Sequence, residues 1–546
     1  MSFEVKDRDL LARIGKLRTK SGVVETPLLF PVVNPAVQPI SPKRIREEFG
    51  FEALITNAYI LKKRFKMEPA ERGLHKFLDF NGVVMTDSGA YQILVYGDVE
   101  TTSEEIVAYQ EQIDTDIATI LDWPTGWKAT RRHAEQTVEE TLKRARELFQ
   151  IRTREDILWV GPVQGGRYLD LVAKSASEMG KLPFHIHALG SPTEVMENYR
   201  FDVLVDMILT AKMNLPIERP LHLFGAGHPF MFALAVALGC DLFDSAAYAI
   251  YAKEGRYMTE TGTVRLEELE YFPCACPKCS SKTPKEISEM PPKERQVFLA
   301  EHNLYACLSE IRRVKQAIRE GRLWEHLELR SHGHPTLLQA LKRLKIYEEF
   351  IEKHSPTVKP SGLFFFSSLG LSRPEVVRHR VRLSERFTHY EREALILMPQ
   401  TKTKPFHRSK LYKKLGKALR NTLRMEDTAK IQVCFYEAPF GLVPIELDEV
   451  YPLSQHETAL PPDLETIEYV AAQVVNHISQ QNYKIVAFLN NHEVWGEKVL
   501  KACRDACQNK GVIFTSFDIE MEEWPGLVAD FLKQNLEKQR RGRSAD

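Results

Sequence analysis

The sequence lacks long apolar runs. No stretch approaches the about 18 uncharged apolar residues that a membrane-spanning helix needs, and the N-terminal residues MSFEVKDRDL contain no apolar signal core. These absences argue against a membrane or secreted protein. We therefore expect a cytoplasmic protein with no membrane partner.

An excess of charge of either sign is also missing. Lys and Arg together number 74, and Asp and Glu together number 74, so the chain has no overall basic field. A nucleic-acid partner is compatible with this balance only if basic surface is concentrated locally. Cysteine is scarce as well, because eight cysteines in 546 residues are too few for a disulfide scaffold.

The sequence does contain a repeated alternation of short apolar runs and amphipathic stretches, from residue 26 to about residue 250. This alternation is typical of βα units, and eight runs predict an α/β fold of the (β/α)8, or TIM-barrel, type. The runs are LLFPVV, ALITNA, GVVMTD, IATILD, ILWVGPVQ, FHIHALG, LHLFGAG and CDLFDS.

The length of the chain predicts more than one domain, since single cores stop growing at roughly 250–300 residues. We place a barrel domain at 1–355 and a linker at 356–389, because HSPTVKPSGL carries two prolines and a glycine. Four more apolar runs, interleaved with helical stretches, predict a smaller α/β domain at 390–530. The basic, polar residues 531–546 predict a tail that frays.

Polar residues that end the apolar runs are candidate site residues, because a (β/α)8 barrel has its active site at the C-terminal ends of the strands. They are Asn57, Asp87, Asp122, Gln164, His228 and Asp244. Paired acids such as Asp87 and Asp244 suit glycosidic chemistry, in which one carboxylate attacks the anomeric carbon and the other moves the leaving group's proton. The alternative is that each Asp only caps the following helix.

A metal site is predicted by the segment CACPKC. Cys274, Cys276 and Cys279 form a C-x-C-x2-C pattern, and His302 follows 22 residues later. Three thiolates and one imidazole complete a tetrahedral Zn²⁺ shell with no open position, so one structural zinc per chain is expected and catalysis must lie elsewhere. The alternative is three unligated cysteines in a loop.

Collinear motifs over roughly residues 1–350 resemble a known family, the archaeal tRNA-guanine transglycosylases within the queuine and archaeosine tRNA-ribosyltransferases. The resemblance is carried by PVVNPAVQ, TDSGAYQ, VYGDVE, LDWPT, HLFGAGHP, DLFDSAAYAIYAKEGRYMT, YFPCACPKCS and EHNLY.

The resemblance implies a ping-pong base exchange with a covalent tRNA intermediate. Asp244 would be the nucleophile on the ribose carbon and Asp87 the general acid/base, while Tyr91 would stack on the base. Asp122 and Gln164 would bind the base edge, and Gly190 would offer a backbone contact. The incoming base would be 7-cyano-7-deazaguanine, which replaces guanine at position 15 of tRNA on the way to archaeosine.

The sequence departs from the family pattern in two places. Where the family has a Gly-Gly turn, this chain has Gly190-Ser191-Pro192, and Pro192 has no amide hydrogen to donate. The second domain resembles that of archaeosine synthase, which attaches lysine to the deazaguanine in tRNA, but Gln400 and Tyr412 replace that paralogue's cysteine and histidine. Lysine transfer through Lys404, and a non-catalytic tRNA-binding subunit, are therefore the alternative functions.

The expected partners are tRNA and a 7-deazaguanine base. A homodimer and a separate subunit that carries the RNA-binding PUA module are further candidates. Two basic clusters are candidate phosphate contacts, although each is equally well read as a solvated surface. The first comprises Arg312, Arg313, Lys315 and Arg319, and the second Arg540, Arg541 and Arg543.

Overall fold

The computed structural model describes residues 2–90, 101–387 and 392–543, the side chains of residues 542 and 543 excepted. The chain divides into two compact units, Met1–Phe350 with His354–Pro356 and Ile351–Lys353 with Thr357–Asp546. No helix among the described residues is long and apolar enough to cross a membrane.

The first unit is built on a barrel of eight parallel strands. They are β4 (Leu28–Pro31), β5 (Ala53–Asn57), β6 (Val83–Asp87), β7 (Ile117–Thr119), β8 (Leu158–Val163), β9 (Ile186–Leu189), β10 (Leu221–Leu223) and β11 (Leu242–Ser245). Each strand coincides with one of the eight predicted runs, and the strand order β4-β11-β10-β9-β8-β7-β6-β5 confirms the (β/α)8 prediction. A parallel bridge between Val32 and Ile55 joins the two end strands.

Helices lie between the barrel strands. They are Pro42–Glu47, Ala58–Phe65, Glu68–Arg72, Leu74–Leu78, Ser103–Gln112, Arg131–Ile151, Leu169–Gly180, Thr193–Glu197, Phe201–Asn214 and Pro229–Ala237. The chain before the barrel forms an antiparallel sheet that the sequence analysis did not predict. Its strands are β1 (Phe3–Asp9), β2 (Ala12–Arg18) and β3 (Val23–Thr26).

The chain that follows β11 carries the cysteine-rich segment. After helix Ala247–Lys253 comes a hairpin of β12 (Arg256–Met258) and β13 (Thr263–Arg265). The helices after it are Pro284–Ser288, Pro292–Glu320, Leu323–Ser331, Pro335–Arg343 and Glu348–His354. In helix Pro292–Glu320 the apolar face of Ile311, Val314 and Ile318 is buried.

The second unit contains a five-stranded sheet in the order β17-β16-β15-β19-β20. Its strands are β15 (Ala394–Pro399), β16 (Ile431–Glu437), β17 (Gly441–Pro444), β19 (Ile485–Asn490) and β20 (Ile513–Asp518), and a separate pair is formed by β14 (Leu363–Phe365) and β18 (His456–Thr458). All neighbours in the larger sheet are parallel except β16 and β17. The helices are Pro374–Glu385, Lys410–Thr422, Met425–Thr428, Leu464–Gln480, His492–Trp495, Lys498–Lys510 and Trp524–Arg543.

This sheet is covered on both faces, because alternate side chains of its strands enter two different cores. One core joins Ile396 of β15 to Leu415 and Val528, from helices Lys410–Thr422 and Trp524–Arg543. The other joins Leu397 to Val474 and Val499, from helices Leu464–Gln480 and Lys498–Lys510.

Two expectations about the second unit are wrong. Residues 356–389 are not a bare linker, because they contain β14 and helix Pro374–Glu385. Residues 531–543 do not fray but continue helix Trp524–Arg543, since Leu532 and Leu536 are buried in the core of the unit. Their basic composition concealed this apolar spacing.

Candidate active site and metal centre

The inward-facing rows of three barrel strands end in polar side chains. Positions two apart in a strand share a face, so the row of Val83 and Met85 in β6 continues to Asp87. By the same alternation Leu242 leads to Asp244 in β11, and β5 ends at Asn57. The inner faces of these three strands are therefore apolar up to their C-terminal ends, where they become polar.

These side chains border a cavity of about 900 Å³ at the C-terminal ends of the strands. Every predicted site residue of the barrel within the described ranges lines it, namely Asn57, Asp87, Asp122, Gln164, Gly190, His228 and Asp244. Tyr91, predicted as the stacking aromatic, lies outside the described residues. The cavity is large enough for a purine base with its ribose.

Asp87 lies in an environment that favours a protonated carboxyl. Its Oδ2 accepts hydrogen bonds from Asn57 Nδ2 at 2.8 Å and from the N–H of Gly89 at 3.2 Å. Burial, followed by the nearby charges of Asp122 and Asp244, raises the pKa of Asp87 to about 7. At neutral pH this carboxyl can both give and take a proton, which is what a general acid/base requires.

Asp244 is held in a fixed orientation. His222 Nε2 donates to its Oδ1 at 2.8 Å, and the N–H of Gly225 donates to the same oxygen at 3.0 Å. Among the described residues no hydrogen bond reaches Oδ2. One oxygen is thus anchored while the other is left for a ligand, as a nucleophilic carboxylate needs.

His222 is a site residue that the sequence analysis missed. It is fully buried, and it lies on the inner face of the barrel because its partners in the sheet, Ala188 and Leu242, both belong to the interior core. The only available signal was a polar residue within the apolar run LHLFGAG. That signal also marks His187 in FHIHALG, which is not part of the site.

Asp122 and Gln164 form a second polar group in the cavity. Gln164 Nε2 donates to Asp122 Oδ2 at 2.5 Å, and its Oε1 accepts from the N–H of Thr125 at 2.9 Å and from Ser191 Oγ at 3.2 Å. These bonds fix the orientation of the amide and leave its second N–H for a ligand. Burial raises the pKa of Asp122 to about 6.

The turn after β9 differs from the expectation for Gly190. Its N–H donates to the carbonyl oxygen of Val163 at 2.9 Å, as part of the barrel, and so is not available to a ligand. A side chain at this position would collide with the amide of Gln164, because a Cβ would lie 2.2 Å from Nε2. Ser191, which follows, has φ of 59°, a conformation that favours glycine. Gly190 therefore makes room for Gln164 and does not offer its N–H to a ligand.

His228 has a structural role. Its Nδ1 accepts from the N–H of Phe230 at 3.3 Å and caps helix Pro229–Ala237. Burial lowers its pKa to about 3, so the imidazole is neutral at physiological pH.

The four predicted metal ligands come together. The donor atoms of Cys274, Cys276, Cys279 and His302 all lie within 4.8 Å of one another, so the cluster could hold a metal ion. His302 directs Nδ1 at the thiols, 3.4 Å from Cys279 Sγ, while its Nε2 donates to the carbonyl oxygen of Met258 at 2.8 Å. A second ring nitrogen tied to a carbonyl is the usual support for a metal-binding histidine.

The metal cluster is linked to the strand that carries Asp244. His302 and Asn303 belong to helix Pro292–Glu320, which packs against helix Ala247–Lys253 directly after β11. Asn303 Oδ1 accepts from the N–H of Met258 at 2.9 Å, and its Nδ2 donates to the carbonyl oxygen of Tyr248 at 3.3 Å. The cluster thus stabilises the structure behind the active site without lining the cavity.

Gln400, Lys404 and Tyr412, which the comparison with archaeosine synthase singled out in the second unit, form hydrogen bonds within that unit. Gln400 Oε1 accepts from the N–H of Ala438 at 2.8 Å, and Lys404 Nζ donates to the carbonyl oxygen of His456 at 2.8 Å. Ser409 caps helix Lys410–Thr422 by accepting from the N–H of Tyr412.

Comparisons with known proteins agree with the division of the chain into two units. A family model described as queuine tRNA-ribosyltransferase matches residues 7–336, and one described as a domain of unknown function matches residues 376–523. The tRNA-guanine(15) transglycosylase of Methanocaldococcus jannaschii is 45% identical over 466 residues, which cover 84% of this chain and 68% of the relative. Its namesake from Sulfolobus acidocaldarius is 41% identical over 499 residues, 90% of this chain and 96% of the relative. That from Pyrobaculum aerophilum is 45% identical over 462 residues, 84% and 90% respectively.

Proposed function

The chain belongs to the queuine tRNA-ribosyltransferase family and is a tRNA-modifying transferase, and from this premise we propose that it exchanges guanine at position 15 of tRNA for 7-cyano-7-deazaguanine. One observation carries the proposal. Two carboxyl groups border the same cavity in different environments, Asp244 with one oxygen anchored and Asp87 with a pKa of about 7.

In the first half-reaction Asp244 Oδ2 attacks the ribose carbon C1′ and the bond to guanine breaks. Asp87 gives its proton to the departing base, so guanine leaves neutral and the ribose is esterified to Asp244. In the second half-reaction Asp87 takes a proton from the incoming deazaguanine, whose nitrogen attacks C1′ and releases Asp244. The nucleotide must leave its stack to reach this buried pair, as in other enzymes that act on a base.

Recognition of the base edge is assigned to Asp122 and Gln164. Guanine and 7-deazaguanine both present N–H donors and a carbonyl acceptor on one edge. The carboxylate of Asp122 can accept from those donors, and the free N–H of Gln164 can donate to the carbonyl. The N–H of Ser191 is the further donor that we propose in the turn after β9.

The Cys3His cluster fits Zn²⁺, which prefers four sulfur and nitrogen ligands in a closed shell. The ion would stabilise the packing of helix Pro292–Glu320. We also propose a homodimer and a separate subunit with a PUA module as partners of this chain. Sedimentation of the purified protein measures whether it forms the homodimer.

The proposed function predicts that the purified chain incorporates radiolabelled guanine into an unmodified tRNA transcript. Replacement of G15 by A in the transcript should abolish incorporation, and unlabelled 7-cyano-7-deazaguanine should compete with the label. Incorporation that persists without G15 would contradict the assigned position. Transfer of radiolabelled lysine to a tRNA that already carries the deazaguanine would support the alternative function of the second unit.

The pKa of Asp87 predicts opposite pH dependences for the two half-reactions. Below about pH 7 the carboxyl is protonated and can serve as the acid, and above it the carboxylate can serve as the base. Formation of the tRNA adduct should therefore slow as the pH rises through about 7, whereas its resolution by the incoming base should accelerate. Single-turnover rates measured across this range test the prediction.

The matched control is Asp87→Asn, which keeps an amide oxygen for Asn57 and Gly89 but cannot titrate. In this variant neither single-turnover rate should change with pH near pH 7, and both rates should be much lower than in wild type. If the wild-type rates do not change between about pH 6 and 8, Asp87 is not the acid/base.

A further inference from the structure

A stretch of the second unit is strongly basic. Residues 401–424 contain nine Lys and Arg and no Asp or Glu, although the chain as a whole has equal numbers of both signs. The local density of positive charge is therefore higher here than the overall balance suggests. This segment is separate from the two basic clusters predicted from the sequence as phosphate contacts.

Helix Lys410–Thr422 places these charges on one face. Lys410, Lys413, Lys414 and Lys417 follow the i, i+3, i+4, i+7 spacing of a single helix face, and Arg420 extends it. All five are exposed. The opposite face contributes Leu415 and Leu419 to the core of the unit. The helix is thus fixed to the sheet with its basic side outward.

The charges of this face are not neutralised by the protein. Across residues 2–90, 101–387 and 392–543, none of the side chains of Lys410, Lys413, Lys414, Lys417 and Arg420 forms a hydrogen bond or an ion pair. Exposed cations without protein partners are available to neutralise phosphates, and that neutralisation releases the counterions condensed on the nucleic acid.

The two basic clusters predicted from the sequence differ from this face, because most of their side chains form ion pairs with carboxylates of the protein. Arg313 is paired with Glu260, Lys315 with Glu25 at 3.1 Å, and Arg319 with Asp7 at 3.7 Å. In the second cluster Arg540 is paired with Asp427, and the side chain of Arg543 lies outside the described residues. An RNA phosphate would have to displace these acids first.

We infer that the exposed face of helix Lys410–Thr422 is an RNA-binding surface that contacts the phosphates of tRNA. From Lys410 to Arg420 the helix rises about 15 Å, at 1.5 Å per residue. That length is sufficient for the helix to contact several consecutive phosphates of one RNA strand. The surface reads no base and supplies affinity, so it serves any tRNA alike. The identity of the RNA rests on the proposed function.

The test is charge reversal at the centre of this face. In the full chain, Lys413→Glu with Lys417→Glu should raise the Kd for an unmodified tRNA transcript about tenfold or more at moderate salt. The slope of log K against log salt should fall by about 1.5, because two phosphate contacts are lost. Filter binding measures both quantities without any need for catalysis.

The matched control is Lys484→Glu with Lys501→Glu. These two lysines are exposed, belong to the same unit and change the net charge by the same amount, but lie off the basic face. The Kd of this control variant for the tRNA transcript should stay within about threefold of the wild-type value. Thermal unfolding of both variants must match wild type, and Lys413→Gln with Lys417→Gln provides a milder second variant if the reversal destabilises the chain.

Each outcome of the binding experiment decides the inference. Equal losses of tRNA affinity in the two double variants would mean that only net charge matters, and this result would overturn the inference. The inference would also be overturned if neither variant changed tRNA binding. Binding of vesicles of anionic lipid through these lysines, with unchanged tRNA binding, would assign the surface to a membrane instead. A wild-type chain that binds tRNA through this face but exchanges no base would contradict the proposed function alone.

Discussion

Asp244→Asn abolishes base exchange, with kcat lowered by about 10³-fold or more. An amide oxygen carries no negative charge and is a poor nucleophile, so the ester to ribose cannot form. The fold should be retained, because the amide oxygen of asparagine can still accept from His222 Nε2 and from the N–H of Gly225. Incorporation of labelled guanine into tRNA measures the loss, and a denaturing gel shows whether the covalent adduct forms.

The control for this variant is Asp79→Asn. Asp79 is an exposed aspartate of the same unit that does not line the cavity, and it has a left-handed backbone conformation that asparagine also tolerates. Its exchange rate should equal that of wild type. An Asp244→Asn enzyme that still forms the adduct would remove Asp244 from the nucleophile's role.

Cys279→Ser should lower the bound zinc from about one ion per chain to almost none and lower the Tm of the first unit by about 10 °C. Serine is a weak ligand for Zn²⁺, and the three remaining donors do not complete the shell. The loss should extend to exchange activity, since helix Pro292–Glu320 is tied through Asn303 and His302 to the chain that follows β11. Elemental analysis and thermal unfolding measure the two effects.

Cys307→Ser is the matched control for the metal centre. Cys307 lies on helix Pro292–Glu320, as His302 does, and it is buried like Cys279. It is not a member of the metal-binding cluster. This variant should keep its zinc, and its Tm should fall by only a few degrees. Full zinc occupancy in Cys279→Ser would mean that the cysteines do not bind the ion.

The sequence was most informative where a local pattern has a direct structural consequence. The eight apolar runs became the eight barrel strands, because runs of that length separated by amphipathic stretches fit βα units. The spacing of Cys274, Cys276 and Cys279 places three thiols on one short loop, and the structure brings His302 to them. Strand-end acids could be identified from the sequence alone, since the end of a strand is visible in the pattern.

Pairing across the fold was not visible in the sequence. The cluster around Arg313 has the appearance of a phosphate site, yet Glu260, Glu25 and Asp7 lie far away in sequence and neutralise it in the structure. Helix Lys410–Thr422 is also rich in basic residues, but its basic face has no such partners among the described residues. Only the tertiary structure separates the two cases.

The two strand histidines show the same limit at the active site. The sequence by itself determined the barrel, and it predicted the candidate acids and the cluster of Cys274, Cys276, Cys279 and His302 that could hold a metal ion. It could not decide between His187 and His222, since each is a histidine within a short apolar run. The register of β9, β10 and β11 decides it, because His222 pairs with the inward-facing Ala188 and Leu242 whereas His187 lies beside Leu221 on the outer face. A shift of one residue in a strand reverses the face of every side chain, and the strand pairing that fixes this register is a property of the closed barrel.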